Sequence, residues 1–432
     1  MTADRYSPRS GDTTYDVESY DLDIAYRVRT NRLEGRAVVN AVAAVRTRSI
    51  SLDLIGLRVS RVRVDGDPRT TYRQSTSAVR VGLPRTMEPG EAFSVEVVYA
   101  GMPHPRRTRW GTLGWEELED GVLVASQPVG APTWFPCNDR PDDRARMRIS
   151  VTTEAEYVVA ATGVAEPPVR LGGRMRWTFV SENPTATYLA AVHIGRYRSS
   201  SQGRVEYVHP PRLRASVERA FADVPRILDT FESAFGPYPQ DTCTVVVTDD
   251  PLEIPLEAQG LVVFGSNHLG ADTARLIPHE LAHQWFGNSV GLATWSDIWL
   301  NEGFACFAEW LWSEASGGPT IADLADEHHA RLRALPQDLV LGDPGPDLMF
   351  DDRVYKRGAL TLEALRRTLG TEAFGDLIRH WTTRHRHLLA TTADFRLCVE
   401  SVSGAPHTAL LDAWLIDPAL PPLPPRPGAA RR

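Results

Sequence analysis

Two histidines and a glutamate in the stretch "IPHELAHQWFG" have a spacing that suits metal chemistry. His279 and His283 are four residues apart, so on a helix their imidazoles project from the same face. Both rings could then reach one cation at roughly 2.0–2.1 Å, the Zn–N distance. Glu280 lies about 100° round the helix, where it would contact a metal-bound water rather than the metal. Because a five-residue match arises by chance in long chains, a further ligand is needed.

Glu302 is the candidate for the third ligand that a hydrolytic zinc site requires beside one open position for water. It follows His283 by nineteen residues and lies in "WSDIWLNEGFACFAEW", a predicted helix with an apolar face. An antiparallel helix pair joined by "NSVGLATW" would bring its carboxylate against the two histidines. The alternative is three polar residues on packed helices, each satisfied by its neighbours. The spacing favours zinc.

Several stretches resemble one family. HELAHQWFGN followed by WLNEGFA, with eighteen residues between His283 and Glu302, resembles the aminopeptidase N family of gluzincin metallopeptidases. "FPCND" with Gln127 upstream resembles the end of that family's amino-terminal domain, and "VYKRGA" resembles its segment with the catalytic tyrosine. "LEAQGL" stands where members carry a glycine- and methionine-containing segment followed by Glu-Asn. The resemblance extends from about Tyr15 to Asp417.

The resemblance implies a role for each residue of the metal site. One zinc ion per chain would be held by His279, His283 and Glu302, and Glu280 would be the general base. Tyr355 would direct its phenol at the developing oxyanion, although it could instead only pack at the start of its helix.

The resemblance also implies a contact for the substrate's α-ammonium, made by Glu257 and Gln127. The partners are then peptides with a free amino terminus. The segment before Glu257 departs from the family, since Ile254 and Pro255 stand in place of small residues and Ala258 replaces the asparagine. Pro255 has no N–H to donate to a substrate backbone, which affects the register of binding there.

Other residues allow two readings. Glu309 lies seven residues after Glu302 on the same helical face, so it could hydrogen-bond a ligand histidine or simply lie at the surface. Pro278 requires either a kink or a fresh helix start. The remaining helix histidines are predicted to be exposed rather than a second metal site: His328, His329, His380, His385 and His387.

The order of predicted elements indicates an α+β protein. Short β-branched segments bounded by turn residues occupy about Tyr15 to Arg198 and predict an all-β sandwich domain at 1–204. Helical periodicity then dominates, which predicts a mainly α-helical catalytic domain at 205–417. The resemblance implies a saddle-like first domain and a thermolysin-like second one. The Pro-rich tail, 418–432, is predicted to be disordered or extended.

The composition of the chain bears on its partners and its location. The chain has 432 residues, a net charge of −8 without charge runs, and four widely spaced cysteines. We therefore expect no nucleic-acid or membrane partner, and a reducing, cytoplasmic location. No apolar run approaches ~20 residues and the start lacks a signal-peptide core. The oligomeric state is not indicated.

The function that the resemblance implies is hydrolysis of the first peptide bond of a peptide by a zinc aminopeptidase with metal-activated water. One alternative is a zinc endopeptidase or leader-peptide-trimming protease of the same family. The other is a non-catalytic peptide-binding relative. The predicted final helix "HTALLDAWLID" indicates a short form lacking the C-terminal helical domain of larger members, with an open cleft.

Overall fold

The computed structural model describes residues 4–426, which form two compact units. The first unit contains the chain up to Glu218 together with Gln240–His268, and the second contains Arg219–Pro239 and the chain from Leu269 onward. The α+β class is confirmed, because the first unit is mostly strand and the second mostly helix. The domain boundary at 204/205 stays a prediction.

Strands make up most of the first unit, and their side chains alternate between buried and exposed as the sequence pattern predicts. The strands of this unit are β1 (Tyr15–Arg27), β2 (Arg32–Ala43), β3 (Thr47–Asp53), β4 (Arg58–Val64), β5 (Tyr72–Gln74), β6 (Ala78–Met87), β7 (Ala92–Gly101), β8 (Arg106–Thr108), β9 (Gly111–Leu118), β10 (Gly121–Ala125), β11 (Arg144–Glu154), β12 (Val158–Ala161), β13 (Val164–Ala165), β14 (Val169–Leu171), β15 (Arg174–Ala186), β16 (Val192–Gly195), β17 (Arg198–Gln202), β18 (Val205–His209), β19 (Cys243–Val247) and β20 (Leu261–Phe264).

These strands form four sheets. The largest has eight strands in the order β13-β15-β11-β1-β2-β7-β4, with β14 also paired to β15. A five-stranded sheet has the order β12-β16-β10-β9-β8, and β3-β6-β5 form a small third sheet. The apolar side chains of β1, β2, β7 and β11 share one large core with the smaller sheets.

The fourth sheet has the order β17-β18-β19-β20 and is mixed, because β18, β19 and β20 run parallel to one another. It explains why Gln240–His268 belongs to the first unit: β19 and β20 extend the sheet that β17 begins. The segment before β20 adds a further pairing, since Leu256 bridges Val263. Glu257 therefore lies in a segment fixed at both ends.

Helices form the second unit, with one short parallel strand pair, β21 (Gly291–Leu292) and β22 (Leu389–Ala390). The helices of the described chain are α1 (Arg214–Ala220), α2 (Val224–Phe235), α3 (Leu276–Ala282), α4 (Trp299–Ala315), α5 (Ile321–Leu332), α6 (Asp352–Leu369), α7 (Thr371–Arg384), α8 (Thr392–Ser403) and α9 (Thr408–Leu415). Every residue of α4 from Trp299 to Trp310 is buried, so α4 is the central helix. Within residues 4–426, no helix is both long and apolar enough to cross a membrane.

The described part of the Pro-rich tail, 418–426, is extended and bound to the second unit. Arg357 and Arg367 of α6 donate hydrogen bonds to its main-chain oxygens, at 2.8 Å to Pro418 and 3.0 Å to Pro424. Of the two predicted states, disordered or extended, these residues take the extended one, in which the two guanidinium groups satisfy carbonyls that solvent would otherwise have to satisfy. The rest of the tail lies outside the described residues.

Three buried carboxyl groups lie in the core of the first unit. Asp143 accepts from the Val17 N–H at 2.9 Å, and the Thr187 hydroxyl donates to Asp139 at 2.7 Å. Burial raises the pKa of Asp139 to about 8, with a further contribution from the charge of Asp53. Burial also raises the pKa of Asp143 to about 7 and that of Asp53 to about 6. The first unit thus holds carboxyl groups that favour the neutral form.

Asp139→Asn should make the stability of the first unit less dependent on pH. A carboxyl whose pKa is higher in the folded protein stabilises the fold fully below its unfolded value, and the contribution is lost as pH rises toward about 8. Such a group changes the free energy of unfolding by about 1.4 kcal/mol per pH unit within that window. The wild type should therefore lose stability between about pH 5 and about pH 7 that the asparagine variant keeps.

Urea unfolding of both proteins across that pH range measures the effect. Asp21→Asn, an exposed change on β1, is the control. A stability difference between Asp139→Asn and the wild type that does not change with pH would contradict the interpretation.

Candidate active site

The helix α3 contains His279, and His283 follows directly as the residue that caps its carboxyl end. It begins at Leu276, so Pro278 stands in the first turn, where its missing N–H costs no hydrogen bond. The fresh helix start is thus the alternative that the structure shows. The rings of His279 and His283 are buried, with centroids 4.9 Å apart.

Glu302 reaches the same point from the first turn of α4. Its Oε2 lies 3.6 Å from His279 Nε2 and 3.5 Å from His283 Nε2. The three ligand atoms all lie within 4.8 Å of one another, and no other group of three such residues in the described chain does so. The three residues that the sequence analysis proposed as metal ligands thus lie together in the structure.

The outer nitrogens of the two rings are held by different partners. His279 Nδ1 donates to Glu309 Oε1 at 2.8 Å, and His283 Nδ1 donates to the Phe286 main-chain oxygen at 3.0 Å. With Nδ1 carrying the proton, each Nε2 lone pair is directed at Glu302. The Phe286 contact had no sequence signal, because every residue carries a carbonyl.

The geometry and charge of this centre fit a divalent cation. Ligand atoms bonded to a tetrahedral zinc at roughly 2.0–2.1 Å would be about 3.3 Å apart, close to the distances found. Burial opposes a charge on His279, but the neighbouring carboxylates of Glu302 and Glu309 outweigh it and raise its pKa to about 10. Burial likewise opposes ionisation of Glu302, yet the histidines hold its pKa below the ordinary value. Two imidazoles and one carboxylate, with surroundings that favour positive charge, are a hydrolytic zinc ligand set.

Glu309 is a buried positioning residue rather than a surface one. It lies on α4 with only 8% of its surface exposed. Besides His279, it accepts a hydrogen bond from Arg275 at 3.4 Å. Burial raises its pKa, but His279 outweighs that effect and the net shift is downward. Glu309 therefore stays ionised and fixes the His279 tautomer.

Glu280 and Tyr355 flank the ligand set. Glu280 is buried beside His279 on α3. Tyr355 lies in the first turn of α6, which Asp351 caps by accepting from the Arg353 N–H. Its ring is nearly parallel to that of His279, with centroids 5.9 Å apart. A carboxylate and a phenol thus stand next to the candidate metal position.

A close helix contact brings Tyr355 to this position. A Cβ atom on Gly303 of α4 would lie 2.7 Å from the Gly358 Cα of α6, and one on Gly358 would lie 2.6 Å from the Gly303 Cα. No side chain fits between the two helices there, so their backbones approach closely. Glu302 and Tyr355 are consequently fixed relative to each other.

Gln127 and Glu257 line one small pocket within the first unit. It has a volume of about 20 Å³ and is otherwise walled mainly by small and apolar residues, among them Ser126, Tyr188 and Ala258. Such a volume admits a group the size of water or an ammonium. Gln127 Nε2 is buried and has no hydrogen-bond partner among the described residues. Ile254 is exposed on the segment before this pocket.

His328 and His329, which were predicted to be exposed, are half-buried and have structural contacts. His328 stacks on Trp310 at a centroid distance of 5.4 Å, and burial lowers the pKa of His328. His329 Nε2 lies 2.8 Å from the main-chain oxygen of Pro421. Neither belongs to a metal-ligating group among the described residues.

These features define a metal-ligating centre of the hydrolytic zinc type, and comparison with known proteins identifies the family. The family model "Peptidase M1 N-terminal domain" matches residues 16–189, and "Peptidase family M1 domain" matches residues 219–414. A crystal structure of an M1 zinc metallopeptidase from Deinococcus radiodurans is 31% identical, with a TM-score of 0.89 over 98% of this chain and 99% of that chain. The chain belongs to peptidase family M1, and zinc is its expected cofactor.

The curated relatives are longer proteins. The glutamyl aminopeptidase of Bitis rhinoceros is 30% identical over 67% of this chain and 33% of its own length. Aminopeptidase M1-B of Oryza sativa subsp. japonica is 26% identical over 92% of this chain and 49% of its own length. The chain therefore spans a third to a half of the length of these curated relatives.

Glu309→Ala should weaken metal binding. Without the carboxylate, the His279 ring loses the acceptor that fixes its tautomer and orientation, and such changes typically lower metal affinity 10- to 100-fold. Competition with a chelator measures the zinc affinity. Glu314→Ala, which removes an exposed glutamate from the same helix, is the control. Equal affinity in both variants and the wild type would show that Glu309 has no part in holding the ligand.

Proposed function

We propose that the chain is a zinc aminopeptidase, which removes the first residue from peptides with a free amino terminus. The observation that carries the proposal is the convergence of His279, His283 and Glu302 beside a buried glutamate and a tyrosine. The pocket that Gln127 and Glu257 share supports the restriction to free amino termini. Further support comes from a related structure, described as an M1 zinc metallopeptidase bound to a Tyr-Ser-Ala substrate.

Glu280 is the proposed proton carrier. When bound, zinc supplies Lewis acidity that favours loss of a proton from water and polarises a carbonyl group. The Glu280 carboxylate accepts the proton from the attacking water and then delivers it to the nitrogen of the leaving amine. Its burial excludes bulk water, which would otherwise compete for the proton.

Tyr355 is the proposed donor to the substrate's carbonyl oxygen. Negative charge develops on that oxygen as the carbonyl carbon becomes tetrahedral, and a phenolic O–H aimed at it stabilises the transition state more than the ground state. The stacking of Tyr355 beside His279 supports this assignment.

Glu257 and Gln127 are the proposed contacts for the substrate's α-ammonium. A carboxylate pairs with the ammonium charge, and the Gln127 amide offers an unused hydrogen-bonding group in the same pocket. Pro255 has no N–H and cannot donate a main-chain hydrogen bond to the substrate. The position of the substrate is therefore expected to depend more on its contact with Glu257.

Two alternatives remain as outcomes of the tests below. An endopeptidase or leader-trimming protease would not require a free amino terminus, and the altered segment at Ile254, Pro255 and Ala258 is the feature that would fit it. A non-catalytic peptide-binding relative would bind peptides without turnover. The cytoplasmic location and the expected absence of nucleic-acid and membrane partners also stay predictions.

Glu280→Gln should retain stoichiometric zinc and lose most turnover. A general base typically contributes 10²–10⁴-fold to the rate, and the amide keeps the size of the side chain but cannot accept the proton. Zinc content by elemental analysis and kcat on an amino acid amide measure the two effects. Turnover close to wild type in a zinc-loaded variant would end the proposed mechanism.

Tyr355→Phe should lower kcat and leave KM little changed, because the phenol acts mainly in the transition state. Loss of one such donor often costs on the order of 10²–10³ in rate. Steady-state kinetics on one short peptide separate the two constants. A change confined to KM would assign Tyr355 to substrate binding or packing instead.

Acetylation of the substrate and Glu257→Ala should cause losses of similar size that do not add. Both changes remove the same ion pair, so the second has little left to remove. The measurement is kcat/KM for one peptide with a free or acetylated amino terminus, with wild type and variant. Equal cleavage of the free and the blocked peptide by the wild type would favour the endopeptidase alternative.

A further inference from the structure

Lys356 is the one lysine in a chain with 47 lysine and arginine residues. Every other basic position carries arginine, including buried ones such as Arg140 and Arg357. Burial alone therefore does not require lysine. An ammonium is a compact charge on a flexible stem, whereas a guanidinium is a wide planar fork. Lys356 is therefore the one position of the chain where an ammonium replaces the guanidinium found at every other Lys or Arg position.

The Lys356 side chain joins α6 to α4. Its Nζ donates a hydrogen bond to Cys306 Sγ at 3.2 Å, and both residues are buried, with 8% and 0% of their surfaces exposed. Cys306 lies one helical turn after Glu302 on α4, and Lys356 directly follows Tyr355 on α6. One hydrogen bond therefore connects the turn of α4 that follows a metal ligand with the turn of α6 that carries the phenol.

The Lys356 bond complements the glycine contact between the same helices. Gly303 and Gly358 set a close approach of the α4 and α6 backbones. The hydrogen bond from Lys356 to Cys306 adds a polar contact between the same two helices, three residues along α4 from Gly303 and two residues along α6 from Gly358. On α6 this contact is made by the residue next to Tyr355.

The contact between Lys356 and Cys306 is a hydrogen bond and not an ion pair. Among residues 4–426, Cys306 is the hydrogen-bond acceptor for Lys356, and no carboxylate lies within 4.0 Å of the ammonium. Glu309 and Asp352 act on its charge only from farther away. A longer or wider cation could keep the charge but not the bond to the thiol.

We propose that Lys356 is a positioning residue, which holds the Tyr355 phenol in its catalytic orientation through the hydrogen bond to Cys306. The proposal rests on the assignment of Tyr355 as a transition-state donor in the proposed function. In this proposal, the Cys306 thiol and the Lys356 ammonium set the orientation of that donor.

Lys356→Met, which keeps the length of the side chain and removes the donor, tests the proposal. We expect kcat to fall by about 10- to 100-fold, as a small misplacement of a catalytic group can cause. KM, zinc stoichiometry and zinc affinity should stay at wild-type values. In a Tyr355→Phe background the same change should have no further effect on kcat, since no phenol is left to position.

Two further sets of variants separate geometry from charge and from folding. Lys356→Arg should lower kcat as Lys356→Met does, although the charge is kept. Cys306→Ala should also lower kcat, and Cys306→Ser, whose hydroxyl can accept the bond, should lower it less. Cys398→Ala, at a buried cysteine of α8, is the matched control and should leave kcat unchanged. If Lys356→Met does not fold, the kcat values of the Cys306 variants test the proposal.

The outcomes distinguish this proposal from the proposed function. If Tyr355→Phe leaves kcat unchanged, the assigned role of the phenol is wrong and the positioning role falls with it. If Tyr355→Phe lowers kcat while Lys356→Met and Cys306→Ala do not, only the positioning role is overturned. Additive losses in the double variant, or a loss of zinc affinity in Lys356→Met, would likewise overturn it.

Discussion

The packing of α4 against α6 is the constraint on which the candidate site depends. α4 provides Glu302 and Glu309, and α6 provides Tyr355, so the relative position of the two helices decides whether these groups can act together. Gly303 and Gly358 allow a backbone approach that any side chain would prevent. Because interiors are close-packed, even one added methyl group would have to displace a helix. The chemistry of the site is therefore a consequence of helix packing.

The pKa values of the buried carboxyl groups are shifted in opposite directions in the two units. At the metal-ligating centre, histidines and carboxylates stand together and keep Glu302 and Glu309 ionised, which suits a cation. In the first unit, Asp139 and Asp143 are buried among other acids, and desolvation favours their neutral forms. The same chemical group, a carboxyl, is thus kept ionised at the metal-ligating centre, whereas burial favours its neutral form in the core of the first unit.

The sequence predicted the ligand centre because local spacing determines most of it. His279 and His283 needed only a helix, and Glu302 needed only a second helix nearby. Glu309 had two readings, since its distance from Glu302 shows the helix face but not the burial. The sequence left two states open for the Pro-rich tail, because its contacts with Arg357 and Arg367 are distant in sequence and use main-chain carbonyls, which leave no mark in composition. The bond between Lys356 and Cys306 could not be predicted either, because it joins two side chains that are 50 residues apart in the sequence.

The two ligand histidines differ in how their orientation is maintained, and this difference bears on how the site can evolve. The His279 ring is held by a side chain, Glu309, which a single codon change can replace or reposition. The His283 ring is held by the carbonyl of Phe286, which every substitution at that position preserves as long as the loop keeps its path. Natural variation can therefore retune one side of the ligand set in small steps, while the other changes only through a rearrangement of the backbone. Divergence among relatives in metal affinity should accordingly be found on the α4 side of the centre.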